Sequence, residues 1–260
     1  MPEPAAPHAS PTAEPDDPAR WLGTTPLLDL QDPRLRLRVR SLTQLCKSTR
    51  DKALSLYGFV KRIPFSKPVK LRLNSAREVL DLGRGDAVDK VVLLIALLRI
   101  ARIPARIRYV ELRGDILRGL TTNVASAARP VAEAWLHGRW VRNDTYIFDA
   151  GYMAAARQRL KDQDWQWGYG IGRDGHAIWN GVDDAFVGGR PTESDPMVLA
   201  DLGVFNDPFE FVTSDVYRKH HARLARALQW NLLAPMIERS IRELREETAG
   251  GVPAPQRKTS

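Results

Sequence analysis

The stretch GRGDAVDKVVLLIALLRIARIPAR, Gly83–Arg106, decides how this chain is organised. Between Lys90 and Arg99 run eight apolar residues without interruption, Val91 to Leu98. A segment that is apolar on every side belongs in a core, and it falls well short of the roughly 20 residues that span a bilayer. Ala, Leu and Ile continue without a breaker until Ile103-Pro104, so the stretch predicts a buried helix that stops there and passes into an extended segment. The glycine turn at Gly83 and Gly85 then leads into a helix N-terminus. Asp86 and Asp89 lie in its first turn, where the helix dipole favours carboxylates whatever the function.

Upstream, Thr24–Pro33 reads as an extended entry, and Leu35, Leu37, Val39, Leu42 and Leu45 suggest an imperfect amphipathic helix. A clearer one follows, capped by Ser48 or Thr49, with Ala53, Leu56, Tyr57 and Val60 at helical spacing before Pro64. Ser75 and Glu78 have the spacing of a capping box for a short helix, Ala76–Leu82. Downstream, Ala105–Leu112 reads as a strand. Val131–Leu136 and Arg139–Phe148 read as a hairpin turned by His137-Gly138. Asp149 is placed to cap a helix reaching about Lys161, and the aromatic, glycine-rich Trp165–Gly189 predicts irregular strands or loops. Asp215 is placed to cap a last helical stretch with a stripe of Leu224, Leu228, Leu232, Ile237, Ile241 and Leu244, which Pro235 is expected to break or kink.

Composition sets the outer limits. The chain has 260 residues, 43% of them hydrophobic, enough for one full core plus an extension. Its 39 Lys+Arg against 31 Asp+Glu give a net charge of +8 spread along the sequence, without the basic-aromatic repeats of a nucleic-acid binder, so nucleic acid is not the expected partner. A single cysteine, Cys46, excludes an intrachain disulfide and a cysteine-rich zinc site and fits a reducing compartment. Residues 1–20 hold six prolines and no apolar stretch that would serve as a signal-peptide core, so a disordered tail and a cytoplasmic location are expected. Residues 248–260 look like a second tail. The expected organisation is a core over 21–149 and an aromatic, glycine-rich and helical extension over 150–247 packed on it, with no metal and no cofactor.

Taken in order, LGTTPLLDLQDP, DKALSLYGFV, SAREVLDLGRGD, LLIALLRIARIPAR and VAEAWLHGRWVRNDTYIFD resemble the transglutaminase-like proteins, from about Trp21 to Asp149. That resemblance implies an α+β fold with a papain-like core, a central buried helix packed on an antiparallel sheet. It also implies a catalytic triad: a cysteine at the start of the helix, where the dipole favours thiolate, a histidine four residues before a glutamate on the first hairpin strand, and an aspartate at the end of the second. Those positions read here as Ala87, Arg129 (counted back from Glu133) and Asp144. A methyl group forms no thioester, and a guanidinium is no base near neutrality. An engineered replacement of cysteine would account for Ala87 alone, so natural loss of the site is favoured.

The expectation is therefore a transglutaminase-like protein without Cys-His-Asp catalysis, acting as a binding or scaffold module. A peptide, a protein or a small carboxylate would be its ligand, and its oligomeric state is open. Arg129, Asp144, Asp86, Glu133 and Trp140 are the candidate cleft or anion-binding residues. The alternative is an enzyme, an amide hydrolase or transferase, that reuses the cleft without a cysteine, with Asp144, Glu133 or Asp86 as acid/base and Arg129 holding an anionic substrate. Cys46 precedes the glycine turn and reads as a packed thiol. His137 and His176 read as surface histidines, and His220-His221, amid Arg218, Lys219 and Arg223, as a solvated face. Gly168-x-Gly170-x-Gly172 lacks the Lys-Ser/Thr of a phosphate loop. Trp165, Trp167, Tyr169 and Trp179 suit either a cleft wall or core packing.

Overall fold

The structure is a computed structural model that describes residues 17–121, 124–220 and 223–250. Of the expected tails, 1–20 and 248–260, residues 1–16 and 251–260 lie outside the described residues, as does His221; the described residues open with a short 3-10 helix, Pro18–Leu22, capped by Asp17. Helices α1 (Pro33–Thr43), α2 (Thr49–Arg62), α3 (Ala76–Leu82) and α4 (Ala87–Ile100) come first. Strands β1 (Ala105–Arg113), β2 (Ser126–Leu136) and β3 (Arg139–Asn143) follow, then α5 (Ala150–Asp162) and the two-residue strands β4 (Trp167–Gly168) and β5 (Ile171–Gly172). The chain closes with β6 (Val198–Phe205), α6 (Pro208–Thr213), α7 (Asp215–His220) and α8 (Arg223–Gly250).

Every residue from Asp89 to Arg99 in α4 is buried, and its apolar side chains pack with α1, α2, α3 and one face of the sheet. That sheet is antiparallel, in the order β3-β2-β1-β6. Strand alternation sends Ala132 and Ala134 into the main core beside α4, while Val131 joins a smaller cluster with Val110, Leu112, Phe186 and Met197. Full capping boxes start α2, α3 and α4, from Ser48, Ser75 and Asp86. The hairpin turns at His137-Gly138 with both φ angles positive, 54° and 75°, as a tight two-residue connection demands.

Five expectations need correction. Leu37 and Leu45 are 67% and 87% exposed: α1 turns Leu35, Val39 and, in part, Leu42 toward the core, and Leu45 lies beyond its end. The second hairpin strand ends at Asn143 rather than Phe148: the Asn143 side chain accepts the Thr145 backbone N–H and turns the chain, so Tyr146, Ile147 and Phe148 enter the core from a loop. Strand β6 was not anticipated, and it comes from within the expected extension to complete the sheet against β1. Asp215 lies inside α7, whose Tyr217 N–H is accepted by Ser214 Oγ instead. Finally, Pro235 does not break α8, which runs through it; the proline sits on the exposed side of the helix. Of its expected stripe, Ile237, Ile241 and Leu244 are buried, Leu232 is 72% exposed, and the side chains of Leu224 and Leu228 lie outside the description.

Candidate functional site

At the N-terminus of α4 the Asp86 carboxylate accepts from the Val88 and Asp89 N–H groups, both at 3.1 Å. It is also gripped by Lys67 at 2.7 Å and Lys70 at 2.8 Å, and Lys70 reaches Asp89 at 2.5 Å. Burial alone would raise the Asp86 pKa, but the two ammonium groups outweigh it and hold the carboxyl below the ordinary range. Asp89 is pushed the other way, by burial and by the charge of Asp86. Lys67 and Lys70 belong to an irregular segment that sequence patterning does not single out. It is held against α8, where Asn231 pairs with both backbone groups of Lys70 (2.9 and 2.7 Å) and Glu238 accepts the Lys67 N–H at 2.6 Å.

Next to this cluster lies a cavity of about 250 Å³. Ala87 lines it, together with Lys67, Asp86 and Arg129; Tyr109, Phe148, Phe211, Trp230 and Ile237 supply much of its apolar wall. Its cover therefore comes partly from α6 and α8. The Tyr109 ring stacks on Phe211 with centroids 3.8 Å apart, and its hydroxyl, buried, has no hydrogen-bond partner among the described residues.

Arg129 Nη1 lies 3.2 Å from Asp144 Oδ2, and Nη2 donates to the Gly170 carbonyl at 2.5 Å. The other Asp144 oxygen accepts the Val187 N–H at 2.7 Å. Burial raises the Asp144 pKa even against the pull of Arg129. Gly170 explains a glycine that the phosphate-loop comparison left idle: its φ is +81°, and a Cβ there would come within 2.5 Å of the Phe148 ring. The loop carrying Asp144 is pinned from beneath by two lysines that bond carbonyl oxygens, Lys61 to Thr145 and Phe148, and Lys90 to Ile63 and Ile147. Burial lowers the pKa of both, that of Lys61 to about 8.

Glu133 and Trp140 do not belong to this cavity. Glu133, four residues from Arg129 along β2, is held by Arg106 at 2.5 Å and Arg108 at 2.6 Å. The Arg106 guanidinium lies 4.0 Å from the centre of the Trp140 ring, a cation–π stack that Trp21 joins edge-on. Those two candidates serve a charged, aromatic cluster elsewhere on the sheet. Trp179 packs edge-on against Tyr57, and Trp165 and Tyr169 stack on each other. Cys46 sits just beyond α1, its Sγ 3.7 Å from the Leu42 carbonyl, and does not line the cavity. His137 is in the hairpin turn, and exposed His176 accepts the Phe186 N–H at 3.1 Å; the His220 side chain lies outside the description. Among the described residues no cluster of His, Cys, Asp and Glu could hold a metal, and no helix is long and apolar enough to cross a membrane.

Comparison with known proteins adds one family. Residues 37–145 match the model of the transglutaminase-like superfamily, a span that contains α4, the hairpin and Asp144. No curated protein matches the chain. A solved structure, the "Putative Cysteine Protease from Cytophaga hutchinsonii", is similar at 19% identity and a TM-score of 0.41 over 53% of this chain, which spans 43% of that one. The likeness to the transglutaminase-like superfamily thus rests on the segment 37–145, a little over two fifths of the chain.

Proposed function

We propose that this protein is a transglutaminase-like domain without Cys-His-Asp chemistry, whose cleft binds rather than turns over its ligand. The observation that carries this reading is the pair of side chains at the site: the methyl of Ala87 faces the cavity at the start of α4, and Arg129 is tied to Asp144 and to the Gly170 carbonyl. A methyl group offers no electron pair to a carbonyl, and a guanidinium takes up no proton near neutrality. The alternative of a carboxylate-based enzyme requires a free acid or base facing an open site. Asp86, Asp144 and Glu133 are each engaged by one or two cations, which speaks against it.

The test is a screen of purified protein for amidase, protease and transamidation activity. No turnover above the level of a Cys46→Ala, Asp144→Ala double variant is expected. Turnover that survives Cys46→Ala and disappears with Asp144→Ala would overturn the proposal.

A further inference from the structure

The charges on the wall of the α4 cavity are already matched. Lys67 is committed to Asp86, Lys70 bridges Asp86 and Asp89, and Arg129 is committed to Asp144 and Gly170. A charged guest would lose its water and meet no unpaired counter-charge. The rest of the wall is largely hydrocarbon and aromatic, including Phe65, Leu112, Ile116, Leu120 and Trp230. One polar atom stands apart: the hydroxyl of Tyr109, a residue that lines the cavity, is buried and without a partner among the described residues. A buried hydroxyl left in that state is normally matched by a water molecule or a ligand.

Size limits the guest. Since an apolar cavity of about 150 Å³ holds a benzene ring, the 250 Å³ here suits a fused bicyclic aromatic or a medium-length alkyl chain. We infer that the cavity beside Ala87 binds a neutral, mainly apolar small molecule of this size that carries one hydrogen-bonding group, with aliphatic alcohols and bicyclic aromatics as the chemical class. The inference rests on the reading that the cleft binds without turnover, and it narrows the ligand by excluding carboxylates.

The full chain is titrated with the neutral fluorophore N-phenyl-1-naphthylamine, and the complex is then competed with 1-octanol and with octanoate near neutral pH. Saturable one-site binding is expected, displaced by 1-octanol at concentrations about tenfold or more below those needed with octanoate. Ala87→Trp fills the cavity and should weaken binding about tenfold or more. Ala128→Leu fills it from the sheet side and serves if the first variant fails to fold. Asp144→Asn removes the partner of Arg129, so octanoate should gain about tenfold relative to its effect on the unaltered protein.

The inference is overturned if the fluorophore does not saturate one site, or if octanoate competes as well as 1-octanol on the unaltered chain. It is equally overturned if folded cavity-filling variants bind unchanged, or if Asp144→Asn gives octanoate no advantage. Amide turnover accompanied by the expected binding pattern would remove the non-catalytic reading alone. Absence of binding in a protein that is also inert would remove this inference alone.

Discussion

At the C-terminal end of α4, Arg99 is 1% exposed and donates to the Ala105 carbonyl at 2.9 Å, the Gly23 carbonyl at 2.7 Å and the Asn206 side chain at 3.2 Å. One side chain thus ties the helix to the start of β1, to the N-terminal segment and to the turn after β6. At the N-terminal end the buried charges form a closed cluster of their own, and the space beyond Ala87 is left unfilled. Both ends take charge out of water. The difference is that Arg99 replaces its water with backbone carbonyls and fills its surroundings, whereas Asp86 replaces it with two lysines and leaves a cavity. The first arrangement fixes the fold, and the second leaves room for a ligand.

Arg99→Ala should produce the largest effect. It strands the Ala105 and Gly23 carbonyls and leaves a hole, so a loss of about 3–5 kcal/mol is expected, read as a lower midpoint in urea unfolding. Burial lowers the Arg99 pKa only to about 10, so the guanidinium stays charged at neutrality and the contact is a cationic one. A loss below about 1 kcal/mol, the worth of an ordinary hydrogen bond, would mean that Arg99 is not the tie its bonds suggest.

Asp86→Ala comes next. It removes a helix cap worth about 1 kcal/mol and leaves Lys67 and Lys70 without their shared partner, although Asp89 remains for Lys70. A loss of about 2–3 kcal/mol is expected from the cap and one orphaned charge together. Asp86→Asn keeps the cap and should recover about a third of that loss; recovery of all of it would show that the ion pairs contribute nothing.

How much of this was visible before the fold was known follows from range. Ser48, Ser75 and Asp86 announce their helices because a cap bonds to residues two or three positions away. His137-Gly138 announces its hairpin for the same reason. Strand β6 was hidden because its bulges against β1, and Gly203 within it, interrupt the alternation that marks a strand. The resemblance marked Ala87, Arg129 and Asp144, whereas the parts of the site that came unannounced are all long-range: Lys70 meets Asp86 from an irregular segment, and Trp230 and Phe211 reach the cavity from the far end of the chain. Glu133 misled in the opposite sense, since being four residues from Arg129 on a strand says nothing about the cations that meet it from β1.

Acid should separate the two ends of α4. The Asp86 pKa is depressed in the folded state, so its contribution is complete above the ordinary carboxylate value near 4 and is lost as pH falls through the depressed one. Asp149, depressed by Arg245, its backbone donors and that ion pair's charge, follows the same sign. Arg99 does not titrate anywhere in that window. Amide hydrogen exchange at falling pH, corrected for intrinsic rates, should therefore show Val88–Lys90 opening before Leu97–Arg99. Simultaneous opening would mean that α4 responds as one unit and that the contrast between its ends is only geometric.

The smallest expected effect is the most pointed one. Ala87→Leu adds three carbons at the start of α4, and in a filled core such an enlargement costs about 1–3 kcal/mol through strain. Ala87 lines the 250 Å³ space, so the added carbons have room to extend into it. Each buried methylene brings about 0.8 kcal/mol, offset by the restricted rotamers of a longer side chain, so the melting temperature should stay level or rise by a few degrees. The same enlargement at Ala96, buried in the middle of the helix with no exposure at all, should destabilise in the ordinary way. If both positions resist enlargement equally, the cavity is not space that a ligand can use, and the N-terminal end of α4 is as tightly packed as the rest.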